Sequence, residues 1–232
     1  MDFRFPTSAH RQFICGRTGS GKTVAACWNL LYRNFRSAPW VILNHKQTAL
    51  IDQIEGAQHV DLGYVPKKPG LYIYHPVPVQ DDEAVTDLLW KVHSRGHTGL
   101  YVDEGYMLDA RDPAMRAIQT QGREKKIPVI MVTQRPVQLS RFCISEADYF
   151  QIFQLNDIED IRRVKGFVPF NLQFYMKTEP NEEPKLGAYH SVWYDVSRNY
   201  LVRLGPAPSE PDLLAQFYDA LHPADSRKRI FL

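Results

Sequence analysis

The sequence predicts an α/β fold in which helices flank a mostly parallel β-sheet. Short apolar runs of strand length alternate with segments of helical periodicity, an order typical of parallel sheets that are covered on both faces. A glycine-rich loop joins the first of these strands to the first helix. Near the C-terminus, two strand-like runs separated by four residues predict a β-hairpin, and an amphipathic segment predicts a terminal helix.

Length and composition are those of one globular domain, 1–232. We expect a core over about residues 11–166 and a C-terminal extension over about residues 167–232. The 28 basic and 26 acidic residues give a net charge of +2, which neither indicates nor excludes a nucleic-acid partner. No apolar run reaches the ~20 residues of a transmembrane helix, and the N-terminus lacks the apolar part of a secretory signal. We therefore expect a cytoplasmic protein.

The strands are predicted from apolar runs bounded by prolines and polar residues. Pro39 precedes the second run, and Pro76 and Pro78 close the third. The fourth run ends in two acidic residues, and the fifth ends in a threonine and a glutamine. The six predicted strands of the core are 12–15, 40–43, 71–74, 100–102, 129–132 and 149–153.

The helices are predicted from apolar residues that recur at helical spacing. The first covers 24–31, directly after the glycine-rich loop. The second opens with three acidic residues, 81–83, where the helix dipole favours negative charge, and its apolar face continues to Val92. The remaining segments in chain order are a helix over 113–123, hairpin strands over 192–195 and 200–203, a helix over 212–221 and a basic tail over 227–229.

The loop after the first strand is a complete P-loop. It consists of Gly16, Arg17, Thr18, Gly19, Ser20, Gly21, Lys22 and Thr23. The glycines let several backbone N–H groups converge on phosphates, at a helix N-terminus that already favours anions. We expect Lys22 to reach the β- and γ-phosphates and the Thr23 hydroxyl to ligate Mg²⁺. Because a strand precedes the motif and a helix follows it, the loop predicts binding of ATP with Mg²⁺.

Two adjacent acids end the fourth predicted strand. We expect Asp103 to hold Mg²⁺ through water and Glu104 to act as the general base that polarises the attacking water. Acids are also common where a strand runs into a polar turn, so the pair indicates a catalytic role only because a P-loop precedes it. An acid in the second position favours hydrolysis over kinase chemistry.

A polar residue also ends the fifth predicted strand. Gln134 follows Thr133, and its amide can donate to a phosphate oxygen and accept from water. We expect Gln134 to contact the γ-phosphate. The alternative is a glutamine that merely opens a loop before Pro136.

The residues around the end of the fifth predicted strand resemble those of the FtsK/HerA superfamily of DNA-pumping ATPases. The residues that carry the resemblance are Thr133, Gln134, Arg135 and Pro136, together with the upstream segment 121–128 and the downstream segment 153–163. The resemblance covers roughly residues 11–166 and implies a P-loop ATPase core of the RecA/ASCE type. Residues 105–107 and 44–46 depart from the pattern common in that superfamily.

The resemblance also implies roles that the residues alone do not give. Arg123 stands at the offset of the superfamily's arginine finger, which would act in trans on the γ-phosphate of a neighbouring subunit. This implies a homo-oligomeric ring, a pentamer or a hexamer, around double-stranded DNA. A motor of this size is most similar to the genome-packaging ATPases of tailless, membrane-containing double-stranded DNA viruses. That likeness implies portal or packaging-vertex proteins as partners, and the host cytoplasm and the virion packaging vertex as locations.

Other functions stay open from sequence. A small-molecule or nucleoside kinase fits the length, although no Arg-rich lid is evident. A plasmid or chromosome DNA-transfer ATPase and a filamentous-phage assembly ATPase are further alternatives. Contacts to DNA phosphates are expected from Arg135 and Arg141, because both follow Gln134 in the loop that leaves the fifth strand.

Overall fold

The computed structural model of the chain describes residues 3–176 and 185–223 and contains one large mixed sheet. The predicted basic tail, 227–229, lies outside these residues. The strands are β1 (Arg11–Cys15), β2 (Pro39–Asn44), β3 (Gln58–His59), β4 (Gly70–Tyr74), β5 (Gly99–Asp103), β6 (Val129–Thr133), β7 (Tyr149–Ile152), β8 (Ser191–Asp195) and β9 (Tyr200–Leu204). The helices are α1 (Lys22–Leu31), α2 (Ala49–Asp52), α3 (Asp82–Arg95), α4 (Pro113–Gln121), α5 (Arg141–Ser145), α6 (Ile158–Lys165) and α7 (Glu210–Leu221).

The sheet confirms the predicted α/β fold. Its strand order is β3-β4-β2-β5-β6-β1-β7-β8-β9, and the strands from β3 to β7 in this order pair in parallel. Because β5, β6 and β1 are consecutive neighbours, their carboxyl ends meet at one edge of the sheet. The P-loop, the acids after β5 and the polar residue after β6 are thereby brought together.

Side chains that alternate along the strands divide the core into two layers. Phe13 and Cys15 of β1 face the layer that contains α3 to α6, whereas Ile14 faces the layer of α1, α2 and α7. Every residue of β1, β2, β5 and β6 is buried. This continuous burial explains why most residues of these strands are apolar instead of alternating with polar ones.

The C-terminal hairpin extends the same sheet. β8 pairs antiparallel with β7, with Tyr149 opposite Asp195, and β9 pairs antiparallel with β8. A buried polar chain supports this junction. The Asn29 amide donates to Gln151 Oε1 over 2.9 Å, and Gln151 Nε2 donates to Ser191 Oγ over 3.1 Å. The sequence predicts the hairpin itself but not its place beside β7.

Several predicted boundaries differ from the observed ones by one or two residues, and one strand is not predicted at all. The third predicted helix ends at Gln121, not at residue 123, because the chain turns at Gly122, whose carbonyl accepts from the Ile127 N–H over 2.8 Å. The predicted strand over 149–153 ends at Ile152. The unpredicted strand β3 has only two residues, both exposed, and leaves no apolar run in the sequence. Within the described ranges, no helix is long and apolar enough to cross a membrane.

Candidate active site

The P-loop leaves β1 and enters α1 in the conformation that its glycines permit. Gly19 and Gly21 adopt φ angles of +74° and +89°, in the left-handed region that favours glycine. A Cβ on Gly16 would lie 2.5 Å from Cβ of Phe153, so this position has no room for a side chain. The Arg17 N–H donates to the Gln154 carbonyl over 2.8 Å, which fixes the start of the loop against the chain that follows β7.

Glu104 lies at the centre of the site, buried among donors. Its side chain is 1% exposed, and its Oε1 lies 3.3 Å from Lys22 Nζ and 3.5 Å from Lys46 Nζ. Its Oε2 accepts a hydrogen bond from the Gln134 N–H over 3.1 Å. The residue has φ 53° and ψ 59°, a left-handed conformation that is costly for a residue with a side chain. The surrounding contacts therefore hold a strained residue so that its carboxylate faces the P-loop lysine.

Asp103 is fully buried beside it. Thr48 Oγ1 donates to its Oδ2 over 2.9 Å, while Oδ1 makes no hydrogen bond to any described residue. Burial raises the pKa of Asp103 to about 6, and the nearby Glu104 carboxylate adds to the rise, against the lowering effect of the Thr48 hydrogen bond. Among the described residues, this carboxylate oxygen thus has no hydrogen-bond partner in the interior, at the end of the sheet where the P-loop lies.

This environment fits Mg²⁺. A hard divalent ion prefers oxygen ligands, and Asp103 Oδ1 is a buried oxygen to which no described residue donates. Thr23 lines the same cleft as Lys22 and is half-buried in the first turn of α1. Thr23 and Asp103 are therefore suited to hold this ion.

Gln134 connects three parts of the site. Its Oε1 accepts from the Thr18 hydroxyl over 2.5 Å, and its Nε2 donates to the Tyr106 hydroxyl over 2.9 Å. Together with its N–H on Glu104, these contacts join the P-loop, the acid after β5 and the turn that follows it. Gln134 thus lies at the end of β6 with its side chain against the phosphate loop.

Three residues of the site are not predicted from sequence. Tyr106 and Lys46 belong to the two segments that depart from the superfamily pattern, and Thr48 follows shortly after Lys46. Their sequence signal is that Tyr106 and Lys46 stand next to predicted strand ends, in the segments that differ from the superfamily pattern. The fold gives both departures a place, because Tyr106 positions Gln134 and Lys46 neutralises Glu104.

A cleft of about 420 Å³ opens in front of the P-loop. The C-terminal extension contributes to its wall through Tyr189, which precedes β8, and Glu210, which begins α7. The Tyr189 ring lies 3.1 Å from the position that a Cβ would take on Gly21, and the residue is 57% exposed. An exposed aromatic ring therefore lies against the phosphate loop.

Arg123 lies away from this site in its own chain. It is exposed in the turn between α4 and β6, at the amino end of β6, whereas Thr133 and the P-loop lie at the carboxyl end. A five-residue strand such as β6 spans about 17 Å. The two arginines expected to contact DNA follow the carboxyl end of β6. Of these, Arg135 makes ion pairs with Asp157 (3.2 Å) and Asp160 (3.5 Å).

Arg141 differs from Arg135 in its surroundings. It is exposed at the start of α5, and its guanidinium lies 5.2 Å from the centre of the Phe167 ring. The charge of Arg135 is largely compensated within the chain, so of the two residues Arg141 is the one that presents its charge to solvent.

Comparison with known proteins gives a close relative and several similar folds. No family profile matches the chain. The DNA packaging ATPase P9 of Enterobacteria phage PRD1 is 53% identical over 217 residues, which cover 94% of this chain and 96% of that protein.

Two solved structures illustrate the shared fold. The genome packaging NTPase B204 of Sulfolobus turreted icosahedral virus 2, in complex with AMPPCP, is 17% identical with a TM-score of 0.64, over 86% of this chain and 98% of that one. VirB4 of Thermoanaerobacter pseudethanolicus is 9% identical with a TM-score of 0.61, over 88% and 90% of the two chains.

Proposed function

This chain belongs to the family of DNA-packaging ATPases, and we propose that it hydrolyses ATP to drive double-stranded viral DNA into a preformed capsid. Membership of this family confirms the predicted resemblance. It favours DNA packaging over the kinase, DNA-transfer and filamentous-phage alternatives. The observation that carries the catalytic part of the proposal is the buried Glu104 carboxylate, held 3.3 Å from the P-loop lysine and bonded to the backbone of Gln134.

The residues suggest how ATP would be bound. Backbone N–H groups of the P-loop and the N-terminus of α1 take up the phosphates. Lys22 exchanges its contact with Glu104 for the γ-phosphate, because both anions compete for one ammonium group. When bound, Mg²⁺ would neutralise charge on the phosphates. Thr23 and Asp103 would hold it.

The same arrangement supports hydrolysis. Once Lys22 turns to phosphate, Glu104 keeps the Gln134 N–H and the Lys46 ammonium as partners. Its carboxylate then accepts the proton of an attacking water. Gln134 couples the γ-phosphate to the loop that begins at Arg135, because its side chain is hydrogen-bonded to both Thr18 of the P-loop and Tyr106.

A ring of subunits completes the proposal. Arg123 lies on the sheet edge opposite the P-loop, so it serves as a finger only for the nucleotide of a neighbouring subunit. We infer a homo-oligomeric ring, a pentamer or a hexamer, that acts in the host cytoplasm and at the packaging vertex. Portal or vertex proteins would be its partners there.

The test of this function is ATP hydrolysis with and without double-stranded DNA. We expect DNA to stimulate turnover regardless of base sequence, because a translocating motor meets a new sequence at every step. Binding should weaken with salt, and the logarithm of the binding constant should fall with the logarithm of the salt concentration with a slope of about −0.9 for each phosphate neutralised. Unchanged turnover over a wide range of duplex concentrations would contradict the proposal.

The roles of the two arginines at the DNA are tested separately. Arg141→Ala should make the salt slope shallower by about 0.9 for each phosphate that Arg141 neutralises, and it should reduce DNA-stimulated turnover. Arg36→Ala is the matched control, because Arg36 is also exposed beside an aromatic ring, 5.9 Å from that of Phe35. The effect of Arg135→Ala should differ from that of Arg141→Ala, because loss of Arg135 leaves Asp157 and Asp160 without their ion pairs next to the P-loop. Equal slopes for the Arg141 and Arg36 variants would exclude Arg141 as a DNA-binding residue.

A further inference from the structure

Three potential metal ligands meet at the carboxyl end of the outer strands, outside the nucleotide cleft. Asp52 ends α2, His59 ends β3 and His75 follows β4 directly. In the parallel pairing of β3 with β4, His59 lies opposite Ile73, and His75 is two residues further along. The period of two places both imidazoles on the same face of the sheet. One ligand atom from each of the three residues lies within 4.8 Å of the other two.

The donor set is specific in its chemistry. Two imidazole nitrogens and one carboxylate oxygen suit Zn²⁺ and related transition metals, whereas Mg²⁺ and Ca²⁺ prefer oxygen ligands alone. His75 Nε2 donates to Asp52 Oδ1 over 2.7 Å, so these two groups already lie at contact distance. The rings of His59 and His75 are parallel within 6°, with centres 5.3 Å apart.

A second hydrogen bond orients the carboxylate. Asn44 Nδ2 donates to Asp52 Oδ1 over 2.8 Å, the kind of outer-shell support that ligating carboxylates receive in metal proteins. We propose that Asp52, His59 and His75 bind one divalent transition-metal ion, Zn²⁺ or a chemically similar ion, with a water in the remaining position. The side chains of Asp52 and His75 are each 31% exposed, which leaves the ion a path from solvent.

The site is linked to the nucleotide cleft by a short chain of contacts. Asn44 Oδ1 accepts from the Thr48 N–H over 2.9 Å, and the Thr48 hydroxyl donates to Asp103 Oδ2 over 2.9 Å. A metal ion that fixes Asp52 thereby braces the loop between Asn44 and Thr48. That loop also carries Lys46, which contacts Glu104. The proposal does not depend on the function proposed above, since metal binding is measured without nucleotide.

The test is titration of the chain, free of any polyhistidine tag, with Zn²⁺ by calorimetry and with Co²⁺ by visible spectroscopy. We expect one ion per chain, an increase in Tm, and the d–d absorption bands of four-coordinate Co²⁺, all unaffected by excess Mg²⁺. His59→Ala should weaken Zn²⁺ binding by about tenfold or more, since even outer-shell partners contribute such factors. The fold should survive this change, because His59 is exposed.

Two comparisons make the result decisive. His93→Ala is the control, because His93 is a partly exposed histidine that lies outside the cluster. Its side chain contacts Gln121 and the Trp90 ring. Its Zn²⁺ affinity should equal that of the parent. If the parent and the double variant of His59 and His75 to alanine bind Zn²⁺ with the same affinity, or if Co²⁺ gives only the weak bands of an octahedral aqua complex, the proposal is wrong.

Discussion

At the scale of single residues, the site depends on a carboxylate that would be unstable without its neighbours. Glu104 is buried in a left-handed conformation, and its charge is balanced by Lys22 and Lys46. A buried ion without such partners costs several kcal/mol. The two lysines therefore stabilise the buried Glu104 carboxylate in its place beside the P-loop.

Glu104→Gln separates binding from chemistry. The amide keeps the shape of the side chain but cannot take a proton, so we expect turnover to fall by about 10²-fold or more while ATP binding is retained. Lys22→Ala should instead lose ATP binding together with turnover. The measurements are steady-state hydrolysis and equilibrium binding of an ATP analogue. Glu55→Gln, a change at an exposed acid, is the control, and parental turnover in the Glu104 variant would place the base elsewhere.

The buried Asp103 predicts a pH dependence of stability in Mg²⁺-free buffer. Its pKa in the folded chain is about 6, above the ordinary value of 3.8, so the native state binds this proton more tightly than the unfolded state. The stabilisation is therefore fully present below about pH 4 and is lost as pH rises through about 6.

Asp103→Asn should remove this dependence. Against the parent, the variant should gain up to about 3 kcal/mol in the free energy of unfolding above pH 6 and little at pH 4, while losing Mg²⁺-dependent hydrolysis. Urea unfolding in EDTA across this pH range measures the difference, with Asp87→Asn at an exposed position as the control. A difference that does not change with pH would contradict the raised pKa.

At the scale of elements, close packing between neighbouring strands decides where glycine is required. Gly99 begins β5 opposite Trp40 of β2, and a Cβ on Gly99 would lie 2.0 Å from Cε2 of the fully buried indole. The indole is also held in place, because its Nε1 donates to Asn34 Oδ1 over 3.0 Å.

Gly99→Ala should consequently destabilise the sheet at β5, the strand that ends in the paired acids. We expect a decrease of about 1–3 kcal/mol or more in the free energy of unfolding, the usual cost of overpacking. Gly205→Ala is a matched control, since a Cβ there meets nothing within 4 Å. Equal Tm values for the two variants would show that β2 and β5 can move apart.

The C-terminal extension contributes a ring to the nucleotide cleft. Because Tyr189 lies against Gly21 and is largely exposed, we expect it to pack on the base or sugar of ATP. Tyr189→Ala should raise KM for ATP severalfold with little change in kcat, whereas Tyr189→Phe should behave like the parent because the hydroxyl is not used. A fall in kcat with unchanged KM would instead assign Tyr189 to the catalytic step.

The elements also show what sequence can predict and why. β1, β2, β5 and β6 are predictable, because strands buried on both faces are largely apolar in sequence. The pairing of β8 with β7 is not, because it joins residues far apart along the chain and leaves no local pattern. The P-loop and the acids after β5 are local motifs, whereas Lys46, Thr48 and Tyr106 enter the site only through the strand order.

At the scale of the whole molecule, the carboxyl ends and the amino ends of the parallel strands carry different functional residues. The carboxyl edge holds the P-loop, Glu104 and Gln134, and the amino edge presents Arg123 to solvent. Under the proposed function, Arg123 can therefore act only on the nucleotide of a neighbouring subunit. We expect specific ATPase activity to rise with protein concentration until rings form, and to be flat only if the finger is unnecessary.

Subunit mixing tests this division directly. Arg123→Ala and Glu104→Gln should each be inactive alone, since every interface then lacks either the finger or the base. A mixture should regain part of the activity, because some interfaces pair the intact Glu104 of one variant with the intact Arg123 of the other. Mixing Lys22→Ala with Glu104→Gln is the control, and it should stay inactive because both changes damage the same half of the site. Rescue in neither mixture, together with specific activity that does not depend on concentration, would rule out a finger in trans.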